Sequence, residues 1–351
     1  MDPGSPGRSG RGGLKIITAR RLACRAVFKM GSLSMDKKQR VLDCIDGKPV
    51  DKIPVSFWHH FVGQDNYGLA CIRRHKEIYE SANLDFIKMN SNGYYPVDFG
   101  VSVQTPQDWI HIRPPKKGSA YFQEQIELIR RMKDAIQDEA CVFYVVYAAY
   151  SFLLRSYGKE MCDAHLRDPA ARKFLLPALE AVGDFVAELC QELIVEGGAT
   201  GIFEAYSSNS RFSPSEYTEW IRPQDEKQMR ACEDAGKYNI VHLCGGVDGR
   251  NHVDTWADYR GSTIHWDQHL DGLSLAEGRV MFPNKRAIMG GFDNRPGTLL
   301  YTGTKEKIQA MTEAYVRSAG RTGFLLSADC TLAPNVPYEH LRWVSEALEK
   351  L

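Results

Sequence analysis

The run CVFYVVYA, residues 141–148, decides how this chain is read. Every position in it is β-branched, aromatic or otherwise apolar. A strand wetted on one face alternates polar and apolar residues, so an unbroken run points to a strand covered on both faces, as in a parallel sheet. Working outward, similar runs stand at IPVSFW (53–58), LDFIKMN (84–90), ATGIFEAY (199–206), YNIVHLC (238–244), STIHWD (262–267), RAIMGGFD (286–293) and GFLLSA (323–328). Between them lie stretches with helical spacing at 36–46, 69–83, 118–138, 168–196, 213–235, 304–319 and 337–350. Gly47 and Pro49 stop the first of these. Asp168-Pro169 and Ser213-Pro214 open two others in N-cap and N1 positions. Strands alternating with helices predict an α/β fold. The count of eight favours a (β/α)8 TIM barrel over an open sheet with an appended lobe. The expected organisation is a single barrel domain over 35–351.

The 351 residues are 43% hydrophobic and 25% charged, which excludes a disordered chain or a coiled coil as the main content. Lys+Arg and Asp+Glu both number 44, so the formal charge is zero. That zero hides two unlike parts. Residues 1–34 carry a net charge of +6, and the rest carries −6. The Gly/Pro/Ser/Arg-rich head cannot build a core. An upstream start ahead of Met30 or Met35 is the favoured reading of it, ahead of a disordered arm or a basic targeting peptide. The absence of a basic excess argues against a dedicated nucleic-acid binder. No apolar run approaches the roughly 20 residues of a membrane span. A soluble cytoplasmic protein is expected. The nine cysteines are odd in number and widely spaced, unlike a disulfide framework, and most should be buried small hydrophobes.

Barrel active sites lie where the strands end, so the residues that follow each strand are the ones to weigh. His242 and Cys244 are the sharpest pair. At i and i+2 on a strand they share a face, and two glycines follow. Cys330 ends the last strand. One imidazole and two sulfurs suit zinc with an open fourth position, and a zinc-held thiolate suits attack on a methyl group. An unliganded thiol pair is the alternative. Glu204 and Asp293 each follow an apolar run; they could ligate metal, orient a ligand, act in acid–base chemistry, or simply anchor a loop. Tyr206 ends the same strand as Glu204, and Asn92 follows the second strand. Of His59 and His60 at most one faces the mouth, and His59 is taken as that one. His265 and His269 default to surface or supporting roles. No phosphate-binding glycine loop follows a strand, which argues against a nucleotide cofactor.

From about Met35 to Leu351 the chain resembles the uroporphyrinogen decarboxylase superfamily. The resemblance is carried by MDKKQRVLDCIDGKPVDKIPV (35–55), IVHLCGG (240–246), AIMGGFDNRPG (287–297) and GFLLSADCTLAPNVPYEHLRWVSEAL (323–348). It implies a (β/α)8 barrel. Decarboxylases of that family carry arginines after the first strand, an aspartate after the second and a histidine near the C-terminal end. Here those places read SFWHHFVGQDNYG (56–68), Asn92 and Ala328. The chain looks closer to the branch of zinc-dependent corrinoid methyltransferases that act with methylcobalamin and coenzyme M. That branch carries HxC on the fifth strand and a cysteine before L-A-P after the eighth, matching His242, Cys244 and Cys330 in SADCTLAPN (327–335). The likeness implies zinc held by these three, with Glu204 as a weak fourth ligand. Asn92, Tyr206, Asp293 and His59 would line the pocket. A corrinoid on a partner protein would exchange a methyl group with a thiol or similar small molecule. The homodimer state is allowed but not specified. A divergent decarboxylase, or a non-catalytic corrinoid- or tetrapyrrole-binding barrel, are the rival expectations.

Overall fold

The computed structural model describes residues 1, 34–90, 97–245 and 249–351. The expectations for the head, 1–34, therefore lie almost wholly outside the described residues, as does Asn92. Residues Met35–Leu351 pack as one compact unit.

Seven parallel strands form one sheet, in sequence order. They are β1 (Phe86–Met89), β2 (Cys141–Tyr147), β3 (Gly201–Ser207), β4 (Ile240–Cys244), β5 (Thr263–Trp266), β6 (Ala287–Phe292) and β7 (Phe324–Ala328). Each falls inside a run read from the sequence, except that β3 runs one residue further, to Ser207. All seven residues of β2 are buried, as the unbroken apolar run required.

The first run, 53–58, is not a regular strand. Only Val55 bridges to β7, opposite Leu326. The reason is local, since Pro54 has no N–H and cannot extend a ladder. Hydrogen bonds nevertheless leave the segment on both sides. Ser56 N–H donates to Leu326 O (3.2 Å), Leu326 N–H to Pro54 O (2.9 Å), and Asp85 N–H to Val55 O (2.9 Å). Side chains supply what the ladder lacks. Ser56 Oγ donates to Phe86 O at 2.7 Å, and Ser327 Oγ donates to Ser56 O at 2.9 Å. The fold is thus an α/β architecture with a curled seven-stranded parallel sheet whose two edges are hydrogen-bonded to one irregular segment.

The helices depart from expectation where the chemistry demands it. The helix foreseen over 213–235 is two, Pro214–Trp220 and Arg222–Ala235. Pro223 cannot donate to a carbonyl one turn back, so the chain restarts there. Ser213 and Glu216 close a reciprocal capping box at the first start. Two further helices, Ala149–Tyr157 and Lys159–Arg167, fill the stretch after β2 that the sequence reading left blank.

The irregular segment is held from below by a buried ion cluster. Asp85 is fully buried; its carboxylate accepts from Val55 N–H (3.0 Å) and from Arg40 Nη1 (2.7 Å). Arg40, 3% exposed, also forks onto Asp51 through Nε (2.6 Å) and Nη2 (2.7 Å). This ties the helix Lys37–Ile45 to the place where the strand ladder is weakest. Breaking a buried pair by removing one partner leaves an uncompensated charge. Arg40→Ala is therefore expected to lower the unfolding free energy by about 3 kcal/mol, measured by urea denaturation, whereas Lys48→Ala at the exposed Lys48–Asp43 pair should leave the curve nearly unchanged.

Candidate metal centre

Alternation along β4 puts His242 and Cys244 on the inner face and Val241 and Leu243 on the outer one. Cys330 follows β7 by two residues. Asp329 N–H still donates to Phe292 O (2.8 Å), so the chain keeps its ladder direction up to the cysteine. The three side chains meet. Cys330 Sγ lies 3.5 Å from His242 Nε2 and 3.8 Å from Cys244 Sγ. All three ligand atoms lie within 4.8 Å of one another. Gly245 follows just above, where a Cβ would meet Leu270 Cδ2 at 2.7 Å and push that side chain aside.

The two sulfurs are electrically unequal. Cys330 is held well below the ordinary thiol value, first by the hydrogen bond from Cys244 and then by His242 beside it. Cys244 is pushed well above, first by that same hydrogen bond and then by burial. Both cysteines are partly exposed, whereas His242 is buried. Its ring stacks on His265 at 4.6 Å between centroids and 23° between planes. His265 is fully buried, which leaves the supporting role of the two that were expected. Burial keeps its imidazole neutral, and its Nε2–H donates to Ala328 O at 2.9 Å. Phe203 packs on both histidine rings, and Trp58 packs on Phe203 and His265.

A family model described as Uroporphyrinogen decarboxylase (URO-D) matches residues 87–351. The chain belongs to the uroporphyrinogen decarboxylase family.

Two solved structures share its fold. One is a methyltransferase from Methanosarcina mazei, with TM-score 0.71 at 16% identity, covering 90% of this chain and 99% of that one. The other is a B12-independent methionine synthase from Shewanella sp. W3-18-1 in complex with selenomethionine, with TM-score 0.53 at 14% identity, covering 86% and 94%. No curated protein sequence matches this chain. Among the described residues of this uroporphyrinogen decarboxylase family member, no helix is long and apolar enough to cross a membrane.

The remaining sequence-derived residues separate from the cysteines. In the β3–β4 register Glu204 stands opposite Val241 and Tyr206 opposite Leu243. Both therefore face outward, away from His242, and Glu204 is in no position to be a fourth ligand. Tyr206 Oη–H donates to Glu204 Oε2 (2.8 Å), and burial pushes the Glu204 carboxyl up to about 8. His59 also points away. Its Nδ1–H donates to Leu332 O (3.0 Å) and its ring lies 5.7 Å from that of Tyr338. His60 is the member of the pair that senses the site. Burial and then Lys88 push its imidazole down to about 3, and the charges of Cys330 and His242 act on it. Asp293 is clamped by its neighbour Arg295, whose hydrogen bonds outweigh burial and hold it low. His269 pairs with the buried Asp329, beside Cys330, and Asp267 caps Leu270 N–H at 2.7 Å. That group has metal-binding residue types too, but its members are already engaged with one another and with the backbone.

Lys88 was missed. It sits in the middle of β1, 3% exposed, with Nζ 3.9 Å from the Trp58 ring centroid and 4.2 Å from that of Phe203. Desolvated cation–π contacts of this kind contribute about 2 kcal/mol. Burial pulls its amine down to about 7, opposed by the sulfurs of Cys330 and Cys244. The available signal was a single cation inside an otherwise apolar strand.

Glu204 supplies a test that separates the outer face from the inner one. Its proton is kept in the folded state up to about pH 8 but lost in the unfolded chain near pH 4.3. Across that window the folded state binds more protons, so stability falls as pH rises. Glu204→Gln is expected to flatten this slope in urea unfolding curves between those limits, and to leave the metal content unchanged. Parallel curves for the two proteins would show that the proton is not held there.

Proposed function

We propose that this protein is a zinc-dependent methyltransferase, moving a methyl group between a corrinoid and a thiol or similar acceptor. The framework proposed is a (β/α)8 barrel whose eighth strand position is taken by residues 53–58. The observation that carries the reading is the spacing of the three ligand atoms. Zinc–sulfur bonds of about 2.3 Å and zinc–nitrogen bonds of about 2.0–2.1 Å at tetrahedral angles require sulfurs about 3.8 Å apart and sulfur–nitrogen edges of about 3.6 Å. The protein presents 3.8 and 3.5 Å. Two of the three donor–donor edges therefore match a tetrahedral zinc site, and the third lies within 4.8 Å.

His242 would offer Nε2, Cys330 its thiolate, and Cys244 a thiolate after loss of one proton. With Glu204 on the far face, the fourth position is left to a substrate or solvent. When bound, zinc would hold an incoming thiol as a thiolate, which is stable yet nucleophilic. The chain supplies the surroundings. Trp58, Phe203 and His265 close the inner side against water, and stacking fixes the plane of the His242 ring. His60 borders the sulfurs as a neutral imidazole. The transfer breaks the cobalt–carbon bond and makes a carbon–sulfur bond, with the thiol proton passing to solvent or a base.

The corrinoid would arrive on a partner protein, and the second substrate would be a small molecule. Unpaired buried thiols suit a reducing compartment, which makes the cytoplasm the proposed location. The fold likeness to a methyltransferase and to a methionine synthase supports the reaction class.

Protein purified without added metal is expected to hold about one zinc per chain, and Cys330→Ala to lose most of it. With methylcobalamin and a small thiol, the visible spectrum should report loss of the cobalt–carbon bond, and the Cys244→Ala and Cys330→Ala variants should not turn over. Zinc below about 0.2 per chain, unchanged by Cys330→Ala, would overturn the metal assignment. Formation of coproporphyrinogen from uroporphyrinogen by the metal-free protein would replace the reading with a decarboxylase.

A further inference from the structure

Among the described residues two cations act on the thiols, Lys88 on both and Arg155 on Cys244; Arg155 is exposed, whereas Lys88 is buried in β1 against the ring wall. Beyond burial, the groups that act on its amine are the sulfurs of Cys330 and Cys244. Among the described residues no carboxylate pairs with it. Its ammonium instead rests on Trp58 and Phe203, the rings that pack on His265, with Phe203 also against His242. Leaving a cation buried without a carboxylate is costly, and burial already draws this amine toward neutrality. A residue of equal length without the charge would fill the same space at no such cost. The placement therefore makes sense if an anion comes to it.

The charge count at the site says which anion. A divalent ion, two thiolates and a neutral imidazole sum to zero. A third thiolate in the open position makes the assembly −1 in a dry, ring-lined wall. We propose that Lys88 forms an anion subsite on the inner wall of this pocket, its ammonium offsetting the negative charge of an acceptor thiolate seated beside Cys244 and Cys330. The identity of the anion rests on the methyltransferase reading. The positive field at the sulfurs does not, because it is built from this chain alone. Lys88 is in this sense a positioning and specificity residue, acting through charge on the group that reacts.

The test compares an anionic and a neutral alkylating reagent at the same sulfurs. Chelator-treated full-length protein is reacted with iodoacetate and with iodoacetamide below neutral pH, and modification of Cys330 and Cys244 is followed by peptide mass spectrometry. The ratio of the two rates cancels the thiolate fraction and reports the local potential. The wild-type ratio should favour iodoacetate, and Lys88→Met should lower it by about tenfold, with Lys88→Arg restoring most of it. The Lys88→Met protein should melt at or above the wild-type temperature, since a desolvated charge has been removed; a strut would instead lose stability on truncation. Lys88→Gln serves if the methionine variant does not fold. A ratio within about twofold of wild type in the variant would overturn the proposal. Zinc content is measured in parallel. Zinc-loaded wild type with an unchanged ratio removes the Lys88 subsite and keeps the metal reading. Zinc-free wild type with a tenfold change does the reverse.

Discussion

Cys244 and Cys330 end strands three places apart in the sheet, yet their sulfurs are 3.8 Å apart. With neighbouring strands about 4.8 Å apart, a flat sheet would separate those positions by about 14 Å. The site therefore exists only because the sheet curls until the ends of β4 and β7 face each other. The natural right-handed twist of parallel strands supplies part of the curvature. The rest is imposed by the segment 53–58, which hydrogen-bonds to β7 on one side and reaches Asp85, at the start of β1, on the other. That makes the Arg40–Asp85–Asp51 cluster, far from the sulfurs in sequence, a condition for their meeting.

The curled interior is filled by rings rather than by aliphatic side chains near the site. Trp58, Phe203, His242 and His265 touch in sequence, with centroid separations between 4.6 and 5.8 Å. Aromatic rings have few rotamers, so this packing fixes the His242 plane without a carboxylate to orient it. Its Nδ1 has no hydrogen-bond partner among the described residues. Among the described residues stacking, rather than a hydrogen bond from its Nδ1, orients this ring. Lys88 rests over two of the same rings, Trp58 and Phe203.

Most of the sheet was legible because burial on both faces leaves a compositional mark. Runs such as CVFYVVY and GIFEAYS need no partner information to be recognised. The irregular first segment was visible only through Pro54, whose missing N–H limits the ladder. Face assignments were harder. Glu204 ends an apolar run as plainly as His242 does, but which way it points depends on the β3–β4 register, which pairs it with Val241. Shifting that register by one residue would reverse the answer. The same limit explains why His59 was preferred to His60. The HxC pair and Cys330 were readable because i, i+2 spacing fixes a shared face within one strand and the family likeness supplied the third member.

Perturbed ionisation alone would have pointed to the wrong side of the sheet. The outer face of β3 holds Glu204 with Tyr206, next to Asp225, which is pushed up to about 7 and bonded by the Tyr217 and Tyr259 hydroxyls. These groups are shifted too, yet they are fully buried and each carboxyl is hydrogen-bonded to tyrosine through one oxygen only. A shifted group sealed inside the protein changes how stability depends on pH; a shifted group that meets solvent or a ligand can do chemistry. Cys244 and Cys330 are partly exposed while Glu204 and Asp225 are not. Access to a reacting molecule, more than the size of any shift, is what separates the inner face from the outer one in this protein.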